Sequence, residues 1–117
     1  MLLVTQPLSP DQCVPRAESL ARAFHFLGKR WTALVLGRLS EGPAGFRELS
    51  RAVGGVSDSV LSDRLSDLAA GGLVTRTVDA GPPLSVTYAS TDSGRALMPA
   101  LEQIALWANE HLAADGC

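Results

Sequence analysis

The chain has 117 residues, of which 46% are hydrophobic and 19% charged. That size and balance suit one globular domain and exclude bulk disorder. A formal net charge of −2 argues against non-specific wrapping of nucleic acid and leaves room for a local basic patch. Two cysteines exclude a disulfide scaffold and a four-thiolate zinc site.

The longest clearly apolar stretch, Ala33 to Leu36, falls far short of the ~20 residues a bilayer requires. The first residues lack a positive segment and reach Thr5, Gln6 and Pro7 too soon for a secretory signal. The expectation is a cytoplasmic protein with reduced thiols and no membrane partner.

Residues 1–14 read as a flexible arm punctuated by Pro7, Ser9, Pro10 and Asp11. Residues 15–113 form the domain, and 114–117 a short tail. Pro15 suits a first helical position, and Ala17, Leu20, Ala21, Phe24 and Leu27 recur at helical spacing before Gly28. A second helix sets Trp31, Leu34, Val35 and Leu39 on one face and stops at Gly42-Pro43. A third, Phe46 to Val53, turns Phe46, Leu49 and Val53 inward and Arg47 and Arg51 outward. Gly54-Gly55 breaks it. Ser57 then occupies an N-cap position before a helix reaching about Ala70. That helix turns Val60, Leu61, Leu65 and Leu68 inward, and Ser59, Ser62, Asp63, Ser66 and Asp67 outward.

After Gly71-Gly72, Leu73 to Val78 reads as a strand, Asp79 to Pro83 as a turn, and Val86 and Tyr88 as parts of a returning strand. Thr91 can cap the last helix, which carries Leu97, Leu101, Ile104, Ala108 and Leu112. Pro99 either kinks that helix or begins it. The fold class is α+β and mainly helical. Three helices followed by a hairpin make a winged helix-turn-helix, in which the helix before the hairpin enters the major groove.

The order and spacing of several short pieces carry a resemblance. They are Gly28-Lys29-Arg30-Trp31-Thr32, Leu39-Ser40-Glu41-Gly42-Pro43, Phe46-Arg47-Glu48-Leu49, Val56-Ser57 with Val60-Leu61 and Arg64-Leu65, Gly72-Leu73-Val74-Thr75-Arg76, and Val86-Thr87-Tyr88 with Thr91 and Gly94. Over residues 17–112 the chain resembles the HxlR-type transcriptional regulators, which are related to MarR winged-helix proteins. The resemblance implies a homodimer, built through its first and last helices, on a pseudo-palindromic operator. It also implies repression of neighbouring genes and a response to electrophiles, oxidants or small aromatic molecules.

The candidate DNA contacts are Arg47, Arg51, Ser57, Ser59, Ser62, Asp63, Arg64, Ser66 and Arg76. Serine hydroxyls serve bases or phosphates, and Asp63 can accept from a cytosine amino group. Arg47 and Arg51 are the natural phosphate anchors, unless acids such as Glu48 hold them at the surface. Arg64 is equally suited to a structural ion pair, and Arg76 to a plain strand-edge charge. Lys29 and Arg30 read as solvated. Asp58, Asp63 and Asp67 oppose the counterion release that drives binding, and the turn from Asp79 to Ser85 lacks Lys and Arg. These last features suit a second reading, a winged-helix protein-interaction module without specific DNA binding.

Cys13 and Cys117 are candidate redox residues, Cys13 of one chain pairing with Cys117 of the partner subunit; the bland reading is two incidental thiols. The family's sensing cysteine, counted back from Trp31, falls on Glu18, with Cys13 five residues upstream. Phe24, Trp31, Leu97, Met98, Leu101, Ile104 and Trp107 supply apolar mass for core, dimer interface or an aromatic-lined effector pocket. No nucleophile motif, phosphate loop or HExxH appears, so neither an enzyme, a cofactor nor a metal is expected.

Overall fold

Capping residues and apolar periodicity divide the chain into seven elements, and the computed structural model describes residues 16–112. In chain order these are α1 (Arg16–Leu27), α2 (Thr32–Leu39), α3 (Phe46–Val53), α4 (Asp58–Ala70), β1 (Val74–Asp79), β2 (Ser85–Ser90) and α5 (Asp92–His111). The arm, the tail, Cys13 and Cys117 lie outside the described residues.

The local chemistry accounts for most boundaries. Ser57 starts α4 by accepting a hydrogen bond from the Val60 N–H at 3.2 Å. Glu48 reaches back to the Gly45 N–H at 2.9 Å and so satisfies an orphan donor at the start of α3. Gly54 and Gly55 have φ of 71° and 80°, a conformation that costs glycine nothing and lets the chain reverse between α3 and α4.

The core lies where α2, α3 and α4 meet the hairpin. Val35 and Leu36 of α2, Leu49 of α3, and Leu61, Leu65 and Leu68 of α4 are buried, as are Val74 and Tyr88 from the strands. Each such side chain contributes ~1.5–3 kcal/mol through burial. The expected inward face of α2 is corrected at Leu34, which is exposed, while Leu36 takes its place. The buried residues of α2, Thr32, Val35, Leu36 and Leu39, form one stripe at i, i+3, i+4 and i+7, rotated from the expected face so that Leu34 falls on the opposite side.

β1 and β2 pair antiparallel with Val74 opposite Ser90 and Arg76 opposite Tyr88. Ala44 adds a third short rung, exchanging hydrogen bonds of 3.0 and 2.9 Å with Tyr88. β1 begins at Val74 rather than Leu73, because the Leu73 N–H closes the α4 turn onto the Leu68 carbonyl.

α5 runs from Asp92 through Pro99 without a new start there. Thr91 caps it by accepting from the Gly94 N–H at 3.2 Å and donating to the Gly72 carbonyl at 2.6 Å. Gly94 sits so close to the Leu73 carbonyl oxygen that a Cβ has no room. This joint ties α5 to the link between α4 and β1. By contrast, α1 has no buried residue, and beyond Leu101 every residue of α5 except half-buried Ala108 is exposed.

Candidate nucleic-acid interface

The outward face of α4 follows from its helical period. Ser59, Ser62, Asp63 and Ser66 are all exposed, opposite the buried row Leu61, Leu65 and Leu68. Val60 is half-buried at the edge of that row. The helix therefore offers a shallow, mostly hydroxyl-bearing ridge with one carboxylate. Ser57 stands at its start, its oxygen engaged as the cap and 3.5 Å from the Ser59 hydroxyl.

The arginines divide into engaged and unengaged. Arg47 is not held by Glu48; its guanidinium grips Asp58 with nitrogens 3.0 and 2.9 Å from the two carboxylate oxygens. Glu48 instead caps α3 and lies 4.0 Å from Arg38. Arg64 is mostly buried and pairs with Asp67 at 3.2 Å. Lys29 is half-solvated and also reaches Asp67, at 3.1 Å. The hydrogen bond from Lys29 holds the Asp67 carboxyl below its ordinary pKa of 3.8; the positive charges of Lys29 and Arg64 act in the same direction, against some desolvation. Arg51 and Arg76 have no carboxylate partner among the described residues.

Two carboxylates of the acidic helix are thus neutralised from neighbouring elements or from within the helix, Asp58 by Arg47 and Asp67 by Lys29 and Arg64. Asp63 has no such partner among the described residues. The Arg47–Asp58 pair spans eleven positions, and no local pattern signals it. The turn read from the sequence, Asp79 to Pro83, would set Arg76 opposite Val86; the actual register sets it opposite Tyr88, a residue that sequence reasoning left out of the site.

The apolar candidates do not gather into one pocket. Met98 and Leu101 line a shallow cleft of about 260 Å³ with Ala33, Leu34, Gly37 and Ala105, between α2 and α5. Leu97 packs on the core. Trp31 also packs there, its ring 3.7 Å from where a Cβ on Gly55 would stand and 4.7 Å from the Arg30 guanidinium. Phe24, Ile104 and Trp107 are exposed, Trp107 with its ring 5.9 Å from His111. Among the described residues no group of His, Cys, Asp and Glu could hold a metal ion, and no helix is long and apolar enough to cross a membrane.

Comparison with known proteins agrees with this architecture. Residues 26–115 match the model of the HxlR-like helix-turn-helix family. The chain is similar to the HTH-type transcriptional regulator YvaP of Bacillus subtilis, with 38% identity over 103 residues, 88% of this chain and 93% of that protein. It superposes on the reduced form of the transcriptional regulator YodB of B. subtilis with a TM-score of 0.72 and 33% identity, covering 85% of this chain and 94% of that one. A quinone-bound form of YodB also matches, with a TM-score of 0.69, 31% identity, and coverage of 80% and 98%. The redox regulator HypR in its reduced form matches with a TM-score of 0.74 and 26% identity over 79% of this chain and 91% of that one. These relatives are transcription regulators, not enzymes.

Proposed function

The chain belongs to the HxlR-like helix-turn-helix family, and from that premise we propose that it is a dimeric repressor whose paired α4 helices enter successive major grooves of a pseudo-palindromic operator. The two helices then stand about 34 Å apart, one helical turn of DNA. The observation that carries this reading is the face of α4, where Ser59, Ser62, Asp63 and Ser66 are exposed together opposite the buried row Leu61, Leu65 and Leu68. Arg51 and Arg76, without acid partners among the described residues, supply phosphate contacts on either side. Arg47 joins them by exchanging Asp58 for a phosphate of like geometry. Arg64 acts from its ion pair as a support for the helix.

The dimer reading rests on α1 and α5. Leu20 and Phe24 of α1 and Ile104 and Trp107 of α5 are each about half exposed or more, at 51%, 53%, 45% and 53%. A twelve-residue helix with no buried residue is marginal alone in water and gains from a second surface. The effector is a small aromatic molecule or an electrophile, acting at these helices directly or through oxidation of Cys13 and Cys117. The quinone-bound state of YodB and the redox role named for HypR support this class. Such an effector must bind the two dimer geometries unequally to release DNA. The protein acts in the cytoplasm, where its DNA lies.

Capture of sheared genomic DNA by the reduced protein, followed by sequencing, tests the reading. The expected result is a few intergenic sites sharing an inverted repeat. Uniform recovery, or none at low salt, overturns it in favour of a protein-interaction module. Cys13→Ser separates the two effector routes: it abolishes a thiol-oxidation response and leaves a ligand response intact.

A further inference from the structure

The reading of α4 and the hairpin as a DNA-binding surface bears directly on the cavity between these two elements. A groove of about 190 Å³ runs between α4 and the hairpin, lined by Ser62, Leu65, Ser66, Ala69, Arg76 and Tyr88. Resting on that reading, we propose that this groove seats one phosphate of the operator backbone, held by Arg76 with the hydroxyls of Ser62, Ser66 and Tyr88.

The lining decides the ligand's chemistry. Arg76 supplies a fixed positive charge, which excludes a metal cation. Arg76 and Tyr88 are register partners across the hairpin, so their side chains leave the same face of the sheet, the one that also carries buried Val74. That face looks onto α4, where Ser62 and Ser66 lie one turn apart. Neither Asp63 nor Asp67 lines the groove, although both belong to the same helix. Arg76 has no acid partner among the described residues, and neither the Arg76 guanidinium nor the Tyr88 hydroxyl has a hydrogen-bond partner there. A guanidinium beside free hydroxyls over a small apolar floor of Leu65 and Ala69 fits a tetrahedral oxyanion better than an apolar effector.

The seat also resolves the missing cation of the wing. The turn between β1 and β2 has no Lys or Arg to enter the minor groove. The hairpin then meets DNA at its base, next to the helix that reads the bases, rather than at its tip. A phosphate held there fixes the depth and tilt of α4 without reading sequence.

Binding of wild type, Arg76→Ala, Arg76→Lys and Ser66→Glu to random-sequence 30-base-pair duplexes, followed by fluorescence anisotropy across a sodium chloride series, tests the seat. For Arg76→Ala the slope of log affinity against log salt becomes shallower by about 0.9 for each chain bound. Its affinity then falls about threefold less than wild type between 50 and 200 mM salt for one chain bound, and about twelvefold less for a dimer with both chains on the duplex. Arg76→Lys keeps the slope and binds more weakly, because a point charge replaces a fork. Ser66→Glu, at an exposed position, puts a carboxylate against Arg76 and removes the same increment in a chain whose thermal melting matches wild type; this variant carries the test if Arg76→Ala does not fold. A slope unchanged in the folded variants, while wild type binds duplex, overturns the seat and leaves the DNA-binding reading standing. A melting rise with inorganic phosphate in that case hands the groove to a dissolved anion. Wild type that binds no duplex overturns both.

Discussion

Arg47 and Asp58 face each other across the turn between α3 and α4, joined by two parallel hydrogen bonds of 3.0 and 2.9 Å. Both side chains are more than half exposed, so the pair adds at most about 1 kcal/mol to stability. Its larger effect is on charge, since the carboxylate occupies a guanidinium that suits phosphate equally well. Removing that competitor by Asp58→Asn should steepen the salt slope of duplex binding by up to about 0.9 per chain and raise affinity for random sequence severalfold. Arg47→Ala should flatten it. Anisotropy titrations on the three proteins read both effects.

Asp63 is the carboxylate of α4 that no cation meets among the described residues. Beside DNA it is tolerable where a base offers it an amino group and no neighbouring acceptor. Cytosine does so in the major groove, whereas adenine adds N7 and guanine and thymine offer acceptors. Selection of binding sites from a random pool should recover a cytosine preference that Asp63→Ala erases at one position of each half-site. The discrimination lost is roughly 1–3 kcal/mol, and affinity for random sequence should rise. A selected motif unchanged in the variant would remove Asp63 from readout.

The Lys29–Asp67–Arg64 group predicts an acid limb in the melting curve. The folded carboxyl of Asp67 titrates below its ordinary 3.8, so its contribution is present above that value and is lost as pH falls through the lower folded value. Wild type should melt a few degrees above Asp67→Asn at neutral pH, a small gap because the carboxylate is 37% exposed. The two curves should converge in acid below the ordinary carboxylate range. Circular dichroism melts at several pH values check this.

Gly94→Ala forces a methyl group against the Leu73 carbonyl at the joint between α5 and the hairpin. The expected cost is about 1–3 kcal/mol, the range of overpacking. Urea unfolding of the variant should show a lower midpoint with an unchanged slope.

Phe24→Ser and Trp107→Ser remove apolar surface that the single chain leaves about half exposed. A dimer built on α1 and α5 should dissociate at concentrations where wild type stays paired, with the core of each subunit intact. Sedimentation velocity follows the first effect and thermal melting of the isolated subunit the second. Unchanged sedimentation in both variants would move the interface elsewhere.

The helix and hairpin order was legible because caps, glycine breaks and apolar periods agree from Ser57 onward, and Ser57 and Thr91 cap as their residue types require. Leu34 was misread because Ala33 to Leu36 are all apolar and leave the phase of the stripe open; the buried stripe runs through Thr32, Val35, Leu36 and Leu39 and puts Leu34 on the opposite face. The exposed ridge of α4 was legible from spacing alone. The partners of its charges were not: Asp58 meets an arginine eleven residues away, and Asp67 a lysine thirty-eight residues away. Such pairs depend on how helices cross, which no local pattern encodes. The same holds for the groove, whose two walls meet through hairpin register and helix packing together.

The joint at Thr91 and Gly94 gives α5 the mechanics of a lever. The threonine bonds to Gly72, and Gly94 lies against the Leu73 carbonyl, so the start of α5 is fixed to the short link between α4 and β1. Twenty residues make an arm of about 30 Å. A displacement of about 2 Å at its far end therefore corresponds to a turn of roughly 4° at the pivot. In the proposed dimer, small changes where two subunits touch would thus reach the two α4 helices as a rotation.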